Sequence, residues 1–242
     1  MRKHNRKDCM TKGYIFDYGG TLDTGGRHWG KVLWQAYVRC GVPVTEEQFR
    51  SAYVYAERTL GSKPLIRRND TFRTTLGTKI RMELEYLVSE KLMDVRPEDV
   101  DKLRGSMLDC IYEGVKEETA RSRKVLERLK RDFPLVLVSN FYGNIHTVLE
   151  EFGLAGMFSD VIESAVVGVR KPDPRIFILG VNALGVEPDE VVVVGDSFTK
   201  DIVPAKKAGC HAVWLKGEGW TDEPQDESLP DAVIKELSQL LR

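Results

Sequence analysis

Apolar positions follow two different periods along this chain. A short run, Tyr14-Ile-Phe16, stands near the start and reads as a buried strand that delivers Asp17 to a tight turn at Gly19 and Gly20. The spacing then becomes helical. Trp29, Val32, Leu33, Ala36 and Tyr37 share one face, and Gly41-Val-Pro43 stops that helix. Thr45-Glu-Glu-Gln48 has the form of a capping box before a second helix carrying Phe49, Ala52, Tyr53 and Ala56. Asp70 is placed to cap a third, with Ile80, Met82, Leu84, Leu87 and Leu92, and Pro97 opens a fourth through Val100, Leu103, Met107 and Ile111. No strand pattern interrupts residues 24–118, which are expected to form an all-helical unit.

From about Thr119 helices alternate with short apolar runs. A helix with Val125, Leu126 and Leu129 ends at Pro134, and Leu135-Val-Leu-Val138 is a buried strand ending in Ser139-Asn140. Helix is expected over 144–152, a short strand over 160–162 and helix over 174–184. Val191 to Val194 is a second fully apolar strand, ending in Gly195-Asp196. Helix over 201–208, a last strand over 212–215 and a closing amphipathic helix over 231–241 complete the pattern. This alternation predicts an α/β fold, a doubly wound, Rossmann-like parallel sheet. Residues 1–23 and 119–242 would form that core, and 24–118 a helical cap inserted over the carboxyl ends of the strands.

Composition narrows the picture only a little. The chain has 242 residues, enough to bury a sizeable core, with 36 basic and 37 acidic side chains and a net charge of -1. That balance gives no electrostatic basis for a nucleic-acid or anionic-membrane partner, and no apolar run reaches bilayer length. The basic stretch Met1 to Asp8 is not followed by an apolar signal region and reads as a frayed tail, with Met10 as an alternative start. Cys9, Cys40, Cys110 and Cys210 form no CxxC pair, which predicts reduced thiols and a cytoplasmic protein. His4, His146 and His211 show no ligand spacing, and nothing specifies an oligomeric state.

The candidate chemistry gathers at strand ends. In a parallel sheet these ends lie along one edge, so Asp17, Ser139, Lys171, Asp196 and Asp201 are expected to converge on one pocket. Converging carboxylates need a cation, and hard oxygen donors of this kind suit magnesium.

Four ordered motifs, Asp17-Tyr-Gly-Gly-Thr-Leu22, the strand ending at Ser139, Lys171-Pro-Asp-Pro174 and Gly195-Asp-Ser-Phe-Thr-Lys-Asp201, resemble those of the haloacid dehalogenase superfamily. The helical stretch after the first motif is similar to that of the subgroup with its cap at this point. The resemblance implies a Mg²⁺-dependent hydrolase, a phosphatase of a small phosphorylated substrate. Asp17 would be the nucleophile, forming an aspartyl-phosphate, while Ser139, Asn140 and Gly20 would contact the phosphoryl group and Lys171 would neutralise charge. Asp17, Asp196 and the Gly19 carbonyl would hold the metal. Asp201 would act through water or by orienting Lys171, Thr21 would stabilise the loop, and the cap residue His28 would contact substrate.

One position departs from the family's phosphatases. The aspartate two residues after the nucleophile, their acid and base, is Gly19 here. General acid-base catalysis contributes about 10² to 10⁴-fold, so its loss matters most for poor leaving groups. Three readings remain open: a phosphatase with a substitute acid such as Asp23 or His28; cleavage of another bond, as in phosphonoacetaldehyde hydrolase with its Schiff-base lysine, for which Lys63 and Lys31 are the cap candidates; or a binding or regulatory protein with little turnover.

Overall fold

The computed structural model describes residues 10–221 and 223–241; the basic tail, His4 and Cys9 lie outside them. Six parallel strands form one sheet: β1 (Gly13–Phe16), β2 (Leu135–Ser139), β3 (Asp160–Glu163), β4 (Val191–Gly195), β5 (His211–Leu215) and β6 (Ala232–Ile234), in the order β3-β2-β1-β4-β5-β6. The first strand therefore sits between β2 and β4, in register Tyr14 with Leu135 and Val192. Both faces of β2 and β4 are buried, which is why their sequences are continuous apolar runs and not alternating ones. From β1 the strands are added outward on one side as β2 and β3 and then on the other as β4, β5 and β6, and this switch puts the crevice of a doubly wound sheet at the end of β1.

Four helices precede β2: α1 (Trp29–Arg39), α2 (Glu46–Ser62), α3 (Phe72–Ser89) and α4 (Pro97–Leu129). The expected capping box opens α2, with Thr45 accepting from the Gln48 amide and Gln48 from the Thr45 amide. The third helix is capped differently: Thr71, not Asp70, accepts from the Thr74 amide, while Asp70 accepts from the Arg67 amide in the preceding turn. A short threonine one position later has the geometry to reach the N3 amide.

Two expectations fail more substantially. The fourth cap helix and the helix leading to Pro134 are one element of 33 residues, so the proposed boundary at 118/119 falls inside a continuous helix. Exposed Lys116 and Glu117 ride the outer face. The inner stripe continues through Ile111, Val115, Thr119, Ser122 and Leu126, all buried. The closing amphipathic helix is also absent. Residues 232–234 pair in parallel with Val213 to Leu215 as a sixth strand, and only a short 3₁₀ turn, Leu237–Leu241, follows. The open edge of β5 accounts for this, because its unpaired backbone groups gain partners from a strand that still buries Ile234 and Leu237.

After β2 come α5 (Ile145–Glu151), α6 (Ser164–Val167), α7 (Arg175–Leu184) and α8 (Val203–Lys207). Residues 198–202 form a π turn, so the helix expected over 201–208 begins only at Val203.

Candidate active site

Strand ends and one loop bring the predicted charges together. Asp17 leaves β1 with its amide donating to the Val194 carbonyl at 3.0 Å, so its carboxylate enters the crevice beside β4. Asp17 is 6% exposed and Lys171 4%. The Lys171 ammonium lies 2.6 Å from Asp17 Oδ1 and 2.6 Å from Asp201 Oδ1. Its loop is held by a two-way bond to the end of β2: the Lys171 amide donates to Asn140 Oδ1 at 2.9 Å, and Asn140 Nδ2 donates to the Lys171 carbonyl at 3.0 Å. The Asn140 side chain is thus a loop clamp. Asp201 has both oxygens engaged, since Oδ2 accepts from the Ser197 amide at 3.0 Å. It therefore fixes Lys171 from behind.

Asp196 is anchored from both sides. Its Oδ1 accepts from Thr21 Oγ1 at 2.9 Å, its amide donates back to that hydroxyl at 3.0 Å, and its carbonyl accepts from Trp214 Nε1 at 2.7 Å. Thr21 has the loop-stabilising place expected of it. Gly20 explains the tightness of the turn: its φ is +99°, and a Cβ there would collide with the Asp196 carboxylate. Its amide is taken by Asp23 Oδ1 at 2.6 Å, so its expected contact with substrate has no N–H to offer.

Carboxylate oxygens of Asp17, Asp196 and Asp201 all lie within 4.8 Å of one another. Burial lifts Asp17 to about 6 even with Lys171 beside it, and burial together with Asp201 and Asp17 pushes Asp196 well above the carboxylate range. Such a cluster resists ionising fully unless a cation shares it. Hard oxygen donors in this number fit a magnesium ion.

Above these residues lies a cavity whose walls include Gly19, His28, Ser139, Asn140 and Asp23. Gly19 leaves its space open: a Cβ there would meet only Trp29, at 3.8 Å from Nε1. That same Nε1 donates to Asp23 Oδ2 at 3.1 Å. Burial raises Asp23 to about 8, against the two N–H bonds its oxygens accept from Gly20 and Trp29. His28 behaves oppositely. Burial and the nearby Lys200 lower it to about 4, and its Nδ1 accepts from the Gly30 amide at 3.0 Å as the N-cap of α1.

The roof contains residues that sequence spacing alone did not single out. Lys79 of α3 forms an ion pair with Glu57 of α2, its ammonium lies 4.1 Å from the Tyr53 ring centroid, and the Tyr142 hydroxyl donates to Glu57 Oε1 at 3.1 Å. The available signal was a lysine on an apolar stripe: Leu76, Lys79, Ile80, Glu83 and Leu84 all face inward. The expected cap lysines stand elsewhere. Lys63 is the exposed residue ending α2, and Lys31 lies 4.0 Å from Glu46; neither lines the cavity. The loop after β5 clasps this roof. Trp220 stacks near His28 (centroids 5.0 Å apart) and Tyr53 (4.9 Å), under Arg50 at 4.2 Å, and the His28 amide donates to the Glu218 carbonyl at 2.8 Å.

Residues 11–209 match the model of the haloacid dehalogenase-like hydrolases. A phosphoglycolate phosphatase of Vibrio vulnificus is 32% identical over 228 residues, covering 93% of this chain and 92% of that protein. A phosphoserine phosphatase of Thermus thermophilus is 36% identical over 115 residues, 47% of this chain and 45% of its own length; matches to several other curated relatives likewise span about half of each. The structure of a HAD-hydrolase from Bacillus subtilis, solved with magnesium, superposes with a TM-score of 0.58 at 17% identity, covering 96% of this chain and 97% of that one.

Proposed function

The chain belongs to the haloacid dehalogenase-like hydrolases, and from that premise we propose that it is a Mg²⁺-dependent phosphatase of a small phosphorylated metabolite, acting through an aspartyl-phosphate at Asp17. The observation that carries the proposal is the Lys171 ammonium at 2.6 Å from both Asp17 and Asp201, beside Asp196. A lysine so placed stays charged, because the two aspartates outweigh its burial. It leaves Asp17 ionisable as a nucleophile and meets the negative charge of the phosphoryl oxygens. The two phosphatase relatives support the substrate class.

Asp17, Asp196 and the Gly19 carbonyl would hold Mg²⁺, which when bound supplies charge neutralisation at the phosphoryl oxygens. Asp201, with both oxygens occupied, serves as the residue that positions Lys171. Ser139 and the backbone of Asn140 orient the phosphoryl group at the end of β2. Of the two substitutes for the acid missing at Gly19, burial favours the protonated form of Asp23, whose oxygens accept from Gly20 and Trp29, and disfavours protonation of His28, whose Nδ1 is already bonded. The helical segment 24–118 acts as the cap that closes over this chemistry.

Schiff-base chemistry loses its support. A lysine nucleophile must be deprotonated, yet Lys79, the lysine on the roof, is pushed up to about 12 because Glu57 outweighs burial.

Purified protein with Mg²⁺ should hydrolyse an aryl phosphate, and Asp17→Asn should lower this about 10³-fold or more. In parallel, Gly19→Asp should raise turnover of alkyl phosphates by about 10²-fold and leave aryl phosphates little changed. No turnover of any phosphate by the unmodified protein would refute the proposal.

A further inference from the structure

Lys79 is an expensive residue where it stands. It is 6% exposed on a helix face that also buries Leu76, Ile80, Leu84 and the carboxylate of Glu83. Removing an ammonium and a carboxylate from water costs several kcal/mol per ion, and apolar residues of similar volume commonly hold helices together as well or better. Glu83, buried on the same face, accounts for part of the charge. Glu57 and the location account for the rest, since Lys79 and Glu57 line the cavity together with Asp17, Ser139 and Lys171.

The bonding valences point the same way. An ammonium has three N–H donors. Glu57 takes one, and the Tyr53 ring covers another side. Glu57 Oε1 also receives the Tyr142 hydroxyl, and Tyr142 lies three residues beyond Ser139, so the roof charge is tied to the loop that faces the phosphoryl group. A donor of Lys79 remains for a guest. Arg170 and Lys200, exposed on the same cavity wall, have no carboxylate within ion-pair distance among the described residues, so the approach is cationic as well.

We propose that Lys79 reads the leaving portion of the substrate and selects phosphate monoesters of short hydroxycarboxylic acids, with the phosphoryl group on the Asp17–Lys171 floor and the carboxylate on Lys79. A monoanion fits better than a second phosphoryl group, because the Glu57 carboxylate beside the one spare N–H repels a dianion more strongly than a monoanion. Glu57 and Tyr142 are positioning residues for the ammonium. The inference rests on the phosphatase proposal for what is transferred, but not for what is bound.

Binding and turnover separate the two. In Asp17→Asn protein with Mg²⁺, calorimetry should find 2-phosphoglycolate bound at least ~10-fold tighter than ethyl phosphate, and adding Lys79→Met should bring the two within about twofold. Glu57→Gln, which keeps the ammonium, should retain the preference. Equal affinity for the two esters in folded Asp17→Asn protein overturns the inference even if Lys79→Met fails to fold. So does a preference that survives in folded Lys79→Met, or tighter binding of a doubly phosphorylated ester. If the preference holds but the unmodified protein hydrolyses no phosphate, the phosphatase proposal fails and the assignment of Lys79 stands.

Discussion

The floor and the roof of the cavity both bury a lysine against carboxylate, yet the two pairs are built differently. On the floor, Lys171 touches two aspartates, its loop is clamped by Asn140, and each aspartate comes from a turn locked to the sheet. Backbone geometry fixes every member. On the roof, Lys79 and Glu57 come from the faces of two helices, and their register depends on how α2 and α3 pack and on one hydroxyl from Tyr142. Strand ends thus supply a rigid site for the group common to all phosphate esters. Helix faces supply the part that differs between esters, where a side chain can change without disturbing the sheet.

The strongest way to break the comparison is Lys171→Met. It leaves Asp17 and Asp201 buried without their cation, and denaturant unfolding in the presence of a chelator should show a loss of about 3 to 5 kcal/mol. If Lys79→Met, measured alongside, destabilises as much, the floor is no more integral to the fold than the roof. Tyr142→Phe tests the strut between them at smaller scale. Losing one hydroxyl bond to Glu57 should cost about 0.5 to 1.5 kcal/mol and should raise KM for a carboxylate-bearing ester with little change in kcat.

A pH-dependent effect concerns His28, where roof and clasp meet. Its folded value, about 4, lies below the unfolded value near 6.5, so the unfolded chain binds more protons between these limits. Stability should therefore be fully present above pH 6.5 and should decline as pH falls from there toward 4. His28→Asn keeps a side-chain acceptor for the Gly30 amide but does not titrate. Its chemical-denaturation profile should be flatter over that window, and an equally steep one would remove His28 from the account.

Much of the floor was legible in the sequence because its geometry is local. A short β-branched run such as Val191 to Val194, stopped by Gly195, reads as a doubly buried strand, and the aspartate at its end is displayed by the strand itself. Parallel topology then aligns Asp17, Ser139 and Asp196 on one edge without further information. The family motifs add the likeness but not the contacts. Asp201 illustrates the limit, because its choice between metal and lysine depends on which donors reach its two oxygens, here Lys171 Nζ and the Ser197 amide.

The boundary at 118/119 and the final helix misled for a related reason. The onset of strand–helix alternation reads as a boundary although no helix stop stands there, and Ile234 with Leu237 has helical spacing although the free edge of β5 takes residues 232–234 as a strand. The sequence by itself determined five of the sheet's six strands and the order of their chemistry, since those follow from local period and residue type; that a carboxyl is missing at Gly19 is implied only by the family resemblance. Tertiary structure alone decided that Asp23 and Trp29 stand beside the space at Gly19, that Gly20 spends its amide on Asp23, and that Lys79 faces Asp17 across the cavity. Each of these depends on the packing of elements far apart in the chain, and helical period reveals that a lysine points inward without revealing what it points at.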